Sequence, residues 1–286
     1  MLTPHDLPRQ GLGCMTMRDG TVGDPDRDPA AVVHAALDAG VTMVDTAHMY
    51  GNEALVGRAV AGCRDKVLVA TKFGVLWRDD GDWYVRADAA FVRDSCEASL
   101  RRLGLETIDL YYLHHRSDET PVEETIDAMA DLVREGKVRG LGLSNVTEED
   151  LRRAHAVHPI VAVQERWSLT QRNVESMVPV AAELGTAVVA YSPTDHGQLH
   201  TSARDRLASV LTDVAARYGV TPGQVALAWV HHRADRWRLP VVPLPGTTSV
   251  RHMRVNAAAA AIALDADDLA KLDTAPDGTR AHPLES

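Results

Sequence analysis

Residues 108–145 read IDLYYLHHRSDETPVEETIDAMADLVREGKVRGLGLSN and contain one complete strand–helix–strand unit. The apolar run over 108–113 predicts a strand, and the apolar spacing over 122–135, ended by Gly136, predicts a helix. A second apolar run over 138–143 predicts the next strand. Because alternating strands and helices of this kind build parallel sheets, the stretch indicates an α/β fold.

The same unit recurs along the whole chain. Two further predicted helices, over residues 29–39 and 174–184, also end at a glycine, which tolerates the left-handed backbone of a helix end. The other strands are predicted over residues 11–17, 42–45, 67–71, 161–164, 187–190 and 241–244. Eight strands favour closure into a (β/α)8 TIM barrel over an open, doubly wound sheet. The alanine run over 257–261 reads as a helix face, and no linker divides the chain, so we expect one domain over 1–286.

Composition argues against several classes of protein. The net charge of -10 and the pI of about 5.7 argue against a nucleic-acid partner, which needs clustered basic side chains. Cys14, Cys63 and Cys96 lie far apart without the spacing of a zinc or redox motif, so we expect no metal and a reduced, cytoplasmic environment. The N-terminus lacks the apolar core of a signal peptide, and no apolar run reaches the ~20 residues of a membrane span. We expect no membrane partner, and the oligomeric state stays open.

Polar residues follow the predicted strands where a barrel places its chemistry, at the C-terminal strand ends. The residues there include Asp45 and Tyr50 after strand two, Lys72 after strand three and His114 after strand four. Alone, an Asp, Tyr or His at such a position is more often a cap, a rim aromatic or a core histidine. A strand-end lysine is rarer, because burying its charge is costly unless it is paired. Four such residues at one barrel face together indicate an acid–base site.

These residue types suit proton transfer to a carbonyl oxygen. Asp45 would hold Lys72 close to Tyr50, and a nearby cation favours the phenolate, so we expect the pKa of Tyr50 to fall from its ordinary value of ~10. The phenol would then act as a general acid near neutrality. His114 would orient the carbonyl oxygen, a role that needs a hydrogen-bond donor more than a full charge.

Eight segments in order resemble the aldo-keto reductase family along nearly the whole chain. They are GLGCM (11–15), VDTAHMYGNE (44–53), ATKFG (70–74), IDLYYLHHR (108–116), GKVRGLGLSN (136–145), VAVQ (161–164), AYSP (190–193) and VPLPGT (242–247). Each fragment is weak alone, but the ordered series is specific. The resemblance implies a (β/α)8 barrel that reversibly reduces an aldehyde or ketone to an alcohol with NADPH. It also implies a catalytic tetrad of Asp45, Tyr50, Lys72 and His114, with Tyr50 as general acid and base.

The resemblance further implies an extended NADPH across the barrel mouth. Ser144, Asn145 and Gln164 would hold its carboxamide, and Tyr191 would stack on the nicotinamide. The other implied cofactor contacts are Gly13, Cys14, Met15, Asp45, Ser192, Gly246, Thr247, Thr248, Ser249, Arg251, His252, Arg254 and Asn256. The basic pair that many relatives carry after PGT, near the 2′-phosphate, is absent here. NADPH is therefore expected, and NADH is not excluded.

Two segments depart from the family pattern. Residues 165–167 are Glu-Arg-Trp, and residues 194–196 are Thr-Asp-His, which makes the expected pyrophosphate loop more acidic. On the substrate side, Trp77 and Trp83 are expected to line the pocket. Because only a short tail follows Asp273, we expect an open pocket suited to bulky or glycosylated carbonyl compounds.

Three other functions stay open at this point. A lysine at a barrel strand end can attack a carbonyl, so Lys72 allows a Schiff-base aldolase. A barrel metallohydrolase would use Asp45, His48, His114 and His115 as ligands, although strand one offers no HxH motif. A catalytically weak NADPH-binding regulator on the same fold is the third.

Overall fold

Eight parallel strands form the central sheet of the computed structural model, which describes residues 1–18, 24–195, 197 and 206–275. The strands are β1 (Gly11–Gly13), β2 (Met43–Asp45), β3 (Leu68–Phe73), β4 (Leu110–Leu113), β5 (Leu141–Ser144), β6 (Ile160–Arg166), β7 (Ala187–Tyr191) and β8 (Val241–Leu244). Each strand pairs with the next in chain order. A parallel bridge between Gly13 and Gly246 joins the first and last strands, so the sheet is a nearly closed barrel. The predicted fold class is confirmed.

Helices surround the barrel. They are α1 (Pro29–Asp38), α2 (Glu53–Val60), α3 (Ala89–Leu103), α4 (Val122–Arg134), α5 (Glu148–Val157), α6 (Val178–Leu184), α7 (Arg206–Tyr218), α8 (Pro222–Trp237), α9 (Val250–Ala258) and α10 (Ala266–Thr274). A two-stranded antiparallel hairpin, Val75–Trp77 with Trp83–Val85, follows β3 outside the barrel. None of the described helices is long and apolar enough to cross a membrane.

Most predicted strand boundaries are shifted by one to three residues, and three further predictions are wrong by more than such a shift. Strand one was expected to reach residue 17 but ends at Gly13, because the chain turns there and Met17 N donates to Cys14 O over 2.9 Å. The helix expected over 174–184 is a 3-10 turn followed by the separate helix α6, whose first turn contains a proline that lacks an N–H donor. The alanine run, read as one helix face, is split between the end of α9 and a 3-10 turn, Ala259–Ala261.

The barrel interior is filled by side chains, and this packed layer supports the polar site above it. Met43, Leu110, Tyr112 and Leu244 belong to the inner apolar cluster. Gly142 is required beside it, because a Cβ at this position would lie 2.3 Å from the Tyr112 ring. This packed layer lies beneath the polar side chains at the strand ends and excludes water from that side of the site.

Candidate active site

A buried network joins three strand ends at the mouth of the barrel. The Nζ of Lys72 on β3 donates to Oδ1 of Asp45 on β2 and, over 2.9 Å, to the backbone oxygen of Thr46. Gln164 on β6 donates from Nε2 to Oδ2 of Asp45 over 2.9 Å. All three side chains are at most 2% exposed. One carboxylate thus pairs with a cation on one side and an amide on the other.

Tyr50 and His114 lie beside this network. Tyr50 ends a 3-10 turn, His48–Tyr50, and its ring centroid is 5.2 Å from Nζ of Lys72. The rings of Tyr50 and His114 meet edge to face, with centroids 5.7 Å apart and planes at 84°. The structure therefore brings together all four residues that the sequence singled out for acid–base chemistry.

Burial and the ion pair set the charge states of Lys72 and Tyr50. Burial alone lowers the pKa of Lys72, but Asp45 and Tyr50 together outweigh it, so that pKa lies above its ordinary value. Burial raises the pKa of Tyr50, and the Lys72 cation only partly offsets this. The expected fall in the Tyr50 pKa is wrong, because the cost of burying a phenolate exceeds the attraction of the cation. Tyr50 is therefore a protonated phenol at neutral pH.

His114 is a neutral hydrogen-bonding group. Burial, followed by the charge of Lys72, holds the pKa of His114 well below its usual range. A neutral imidazole donates one hydrogen bond and carries no charge, which agrees with the role expected from the sequence. The adjacent His115 faces elsewhere: its Nδ1 lies 3.0 Å from Arg116 O.

Two side chains that received no role from the sequence hold the Tyr50 segment in place. Asn52 accepts from Thr46 Oγ1 over 2.6 Å and donates to Cys14 O over 2.6 Å. Glu53, 1% exposed, accepts from Thr71 Oγ1 over 2.7 Å, and Arg102 on α3 pairs with its other oxygen. Both lie in the segment VDTAHMYGNE, where two polar residues directly after a turn glycine were the available signal.

A second polar cluster lies where β5, β6 and β7 end. Asn145 donates from Nδ2 to His114 O over 2.9 Å and to Ser144 Oγ over 3.0 Å, and its Oδ1 accepts from Tyr191 OH over 2.9 Å. Ser144 Oγ donates to Gln164 O over 2.7 Å. Asn145 has a φ of 52°, a conformation that asparagine tolerates better than most residues. The four residues expected to hold the nicotinamide are thus adjacent.

Glu165 contacts the backbone next to this cluster. Its Oε1 accepts from Val146 N over 3.0 Å, next to the left-handed Asn145. Burial raises the pKa of Glu165 to about 8, although backbone hydrogen bonds from Val146 and Asn145 oppose the shift. Glu165 thus lies between Gln164 and the backbone that follows Asn145, two expected nicotinamide contacts, although the sequence marked it only as a departure from the family pattern.

The two departures from the family pattern meet in space. Arg166, at the end of β6, donates from Nη2 to Oδ1 of Asp195 over 2.5 Å, and the two side chains are 9% and 4% exposed. The acidic charge expected in the loop after β7 is therefore compensated. Asp195 N donates to Ser192 O over 2.9 Å. His196 lies outside the described residues.

The ends of β1 and β8 adjoin each other at the mouth. Gly13 N donates to Pro245 O over 3.1 Å, and Cys14 N donates to Asp45 O over 2.8 Å. Met15 is 42% exposed. Gly246 is also exposed and Thr247 is buried, with Thr247 Oγ1 accepting from Ser249 N over 3.1 Å. The cofactor contacts predicted at the ends of these two strands therefore lie along one continuous edge of the barrel mouth.

The start of α9 is occupied by a carboxylate from another part of the chain. Asp26 accepts through Oδ2 from Ser249 Oγ over 2.7 Å and through Oδ1 from Arg251 N over 2.9 Å. Nearby, Arg27 Nη1 donates to Thr248 Oγ1 over 3.0 Å. Further along α9 are Arg251, His252 and Arg254, which are exposed, and Asn256, which is partly buried. No local pattern in the sequence pointed to Asp26.

The hairpin after β3 packs against the turn that carries Tyr50. Trp77 and Trp83 are opposite each other in its register, so both lie on the same face. Trp77 is 54% exposed, and the Trp83 ring lies 4.9 Å from the ring of His115. His115, which follows the expected catalytic His114, thus links this hairpin to the site.

The sequence model of the aldo/keto reductase family matches residues 10–277. This chain belongs to the aldo/keto reductase family. Members are oxidoreductases that act on small-molecule carbonyl substrates, so the resemblance stated from the eight segments is confirmed.

Solved structures of similar chains agree with the fold. An aldo-keto reductase from Klebsiella pneumoniae, in complex with NADPH, is 32% identical with a TM-score of 0.79, over 96% of this chain and 93% of that one. Another Klebsiella pneumoniae aldo/keto reductase, in complex with NADP and acetate, is 31% identical with a TM-score of 0.78, over 96% and 94%. Glycerol dehydrogenase AKR11B4 from Gluconobacter oxydans is 28% identical with a TM-score of 0.82, over 97% and 94%.

Proposed function

We propose that this aldo/keto reductase is an NADPH-dependent carbonyl reductase that reduces an aldehyde or ketone to an alcohol and also runs in reverse. Tyr50 is the general acid in reduction and the general base in oxidation. The observation that supports this best is the buried Lys72–Asp45 pair beside the Tyr50 phenol, with the neutral His114 at its edge.

The proton comes from Tyr50. Because its pKa is raised, the phenol keeps its proton until a substrate oxygen gains negative charge, and the Lys72 cation then stabilises the phenolate that remains. His114 donates a hydrogen bond to the same oxygen and fixes its position. Asp45 holds Lys72 in place and balances its charge.

The cluster at the ends of β5, β6 and β7 fits a nicotinamide. Its amide and hydroxyl groups, on Ser144, Asn145 and Gln164, match the donors and acceptors of a carboxamide, and the Tyr191 ring lies beside them. When bound, the reduced nicotinamide supplies the hydride. NADPH is the form present in the Klebsiella pneumoniae structure similar to this chain. The phosphates would lie along the loops after β7 and β8, as in many (β/α)8 barrels.

A Schiff-base aldolase fits this geometry less well. An imine-forming lysine attacks as the neutral amine, which a lowered pKa supplies, whereas the pKa of Lys72 is raised and its Nζ is bound to Asp45. Among the described residues, no group of three His, Cys, Asp or Glu side chains is arranged to hold a metal ion. The reductase is therefore the better account of the site.

The two tryptophans of the hairpin support a proposal for the substrate class. Two tryptophans on one face, one of them more than half exposed, offer a flat apolar surface at the rim. We propose bulky or glycosylated carbonyl compounds as substrates. A substrate profile with activity confined to small aldehydes would contradict this part of the proposal.

The test is a fluorescence titration of the purified chain with NADPH and, in parallel, NADH, followed by turnover measurements on Tyr50→Phe. We expect saturable cofactor binding in both forms of the protein and loss of turnover in the variant, because the phenol acts on the substrate oxygen. Absence of binding would reject hydride transfer, and trapping a Lys72 imine with borohydride would then test the aldolase. A Tyr50→Phe variant that keeps most of its rate would reject Tyr50 as the proton donor.

A further inference from the structure

The N-terminus of α9 is occupied by a carboxylate of the chain itself. Asp26, from the 3-10 turn Pro25–Arg27, accepts hydrogen bonds from the hydroxyl of Ser249 and the backbone N–H of Arg251. Ser249 is the N-cap of the helix, and its Oγ also accepts from His252 N over 3.2 Å. Two donors that the first turn of this helix would offer to a ligand are therefore bound to a carboxylate.

This position matters for the choice of cofactor. The loop after strand eight and the helix that follows it form a common phosphate site of (β/α)8 barrels, because unpaired N–H groups and the helix dipole favour anions. The family resemblance places the residues after PGT, which lead into α9, near the 2′-phosphate of the cofactor. A 2′-phosphate at the start of α9 would compete for the donors of Ser249 and Arg251, which Asp26 occupies.

The cationic side chains near Asp26 do not offset its effect on a 2′-phosphate. Arg27 donates to Thr248, but its Nε also lies 3.8 Å from a carboxylate oxygen of Asp24, so its charge is shared. The side chains of Arg251 and Arg254 are exposed, and water screens their charge. Asp26, by contrast, is held on two fixed donors at 2.7 and 2.9 Å.

We infer that Asp26 is a specificity-determining residue that weakens the preference of the site for NADPH over NADH. A 2′-phosphate meets a fixed carboxylate and must compete with it for two donors. The 2′-hydroxyl of NADH instead donates a hydrogen bond to such a carboxylate, the interaction by which acidic residues select NADH in other dinucleotide sites. The inference rests on the proposed function, because it concerns the adenosine end of the same cofactor.

The experiment compares the dissociation constants of NADPH and NADH for the unmodified chain, Asp26→Asn and the control Asp28→Asn. Asp28 is exposed, and its loss changes the net charge equally; an asparagine there still caps α1, and the Asp28 carboxylate accepts from Ala31 N rather than from Ser249 or Arg251. We expect Asp26→Asn to tighten NADPH binding about tenfold and to alter NADH binding by less than about threefold. The control should leave the ratio nearly unchanged.

Competition by adenosine fragments shows whether the effect of Asp26 depends on the 2′-phosphate. We expect Asp26→Asn to strengthen binding of 2′,5′-ADP much more than binding of 5′-ADP. An unchanged ratio in Asp26→Asn, or an equal shift in Asp28→Asn, overturns the role of Asp26 while the reductase proposal stands. If no variant binds either dinucleotide, the proposed function fails and this inference fails with it.

Discussion

Arg166 and Asp195, two residues that depart separately from the family pattern, form one buried ion pair between the end of β6 and the loop after β7. Nε and Nη1 of Arg166 have no hydrogen-bond partner among the described residues, so Asp195 is the only carboxylate bound to this guanidinium there. Either charge alone would be buried without compensation. Each of the two residues therefore compensates the buried charge of the other.

A double-mutant cycle tests this dependence. Breaking a buried pair from one side costs about 3–5 kcal/mol, because the remaining charge stays buried and unpaired. We expect Arg166→Met and Asp195→Asn each to lower the free energy of unfolding, and the double variant to lose less than the sum. Urea unfolding gives all three values, and asparagine is chosen because residue 195 has a φ of 49°. A coupling energy below ~0.5 kcal/mol would mean that the two residues act independently.

Glu165 makes the stability of the folded chain depend on pH. Its pKa is raised to about 8 in the folded state from 4.5, so between these values the unfolded chain loses a proton that the folded chain keeps. Stability falls as pH rises through this window and is constant above it. Glu165→Gln removes this titration. The free energy of unfolding of the variant, relative to that of the unmodified chain, should therefore rise from pH 5 to pH 8 by at most ~1.4 kcal/mol per pH unit. The exposed Glu149→Gln is the matched control; a pH-independent difference would contradict the prediction.

Lys72 and Asp45 allow stability and catalysis to be separated. We expect Lys72→Met to lower the free energy of unfolding by about 3–5 kcal/mol, since Asp45 is left buried with Gln164 as its one side-chain partner among the described residues. The double variant Lys72→Met, Asp45→Asn should regain much of the stability, because no charge remains buried. It should not regain turnover, because the cation beside Tyr50 is missing. A stable and active double variant would show that Lys72 has no part in the chemistry.

Gly142 is the tightest glycine position against the barrel interior. A methyl group there would meet the Tyr112 ring at 2.3 Å, so we expect Gly142→Ala to cost roughly 1–3 kcal/mol in thermal or urea unfolding. Combining it with Tyr112→Leu should recover part of the loss. Gly62→Ala is the control, since nothing lies within 4 Å of the position that its methyl group would take. Equal effects of the two alanines would contradict the steric explanation.

The fold and the proximity of the four candidate catalytic residues were predictable because they depend on local patterns. Apolar strand runs and glycine-terminated helices define the barrel, and strand ends in a barrel converge at one mouth. This is why Asp45, Lys72 and His114 could be expected to meet. Strand one was overestimated because its apolar character continues into a turn whose closure depends on Cys14 O.

The remaining features depend on contacts between distant segments. Asp26 reaches Ser249 across most of the chain, and no local pattern marks either residue as a partner. The pKa of Tyr50 depends on how deeply the ring is buried, which the residue types do not reveal. For Arg166 and Asp195 a signal did exist, since two adjacent strand ends had gained opposite charges. Recognising it required the register of β6 with β7, in which Arg166 is opposite Tyr191.

Asp45 accepts from Lys72 with one oxygen and from Gln164 with the other, so the proposed proton-donating side of the mouth and the proposed nicotinamide side share one carboxylate. Thermodynamic reciprocity then applies: whatever a bound carboxamide does to the Tyr50 proton, the state of that proton must do to cofactor affinity by the same factor. The pH dependence of the dissociation constant of the dinucleotide and the change in the Tyr50 pKa on binding are accordingly two readings of a single linkage. A substitution at Gln164 would alter both.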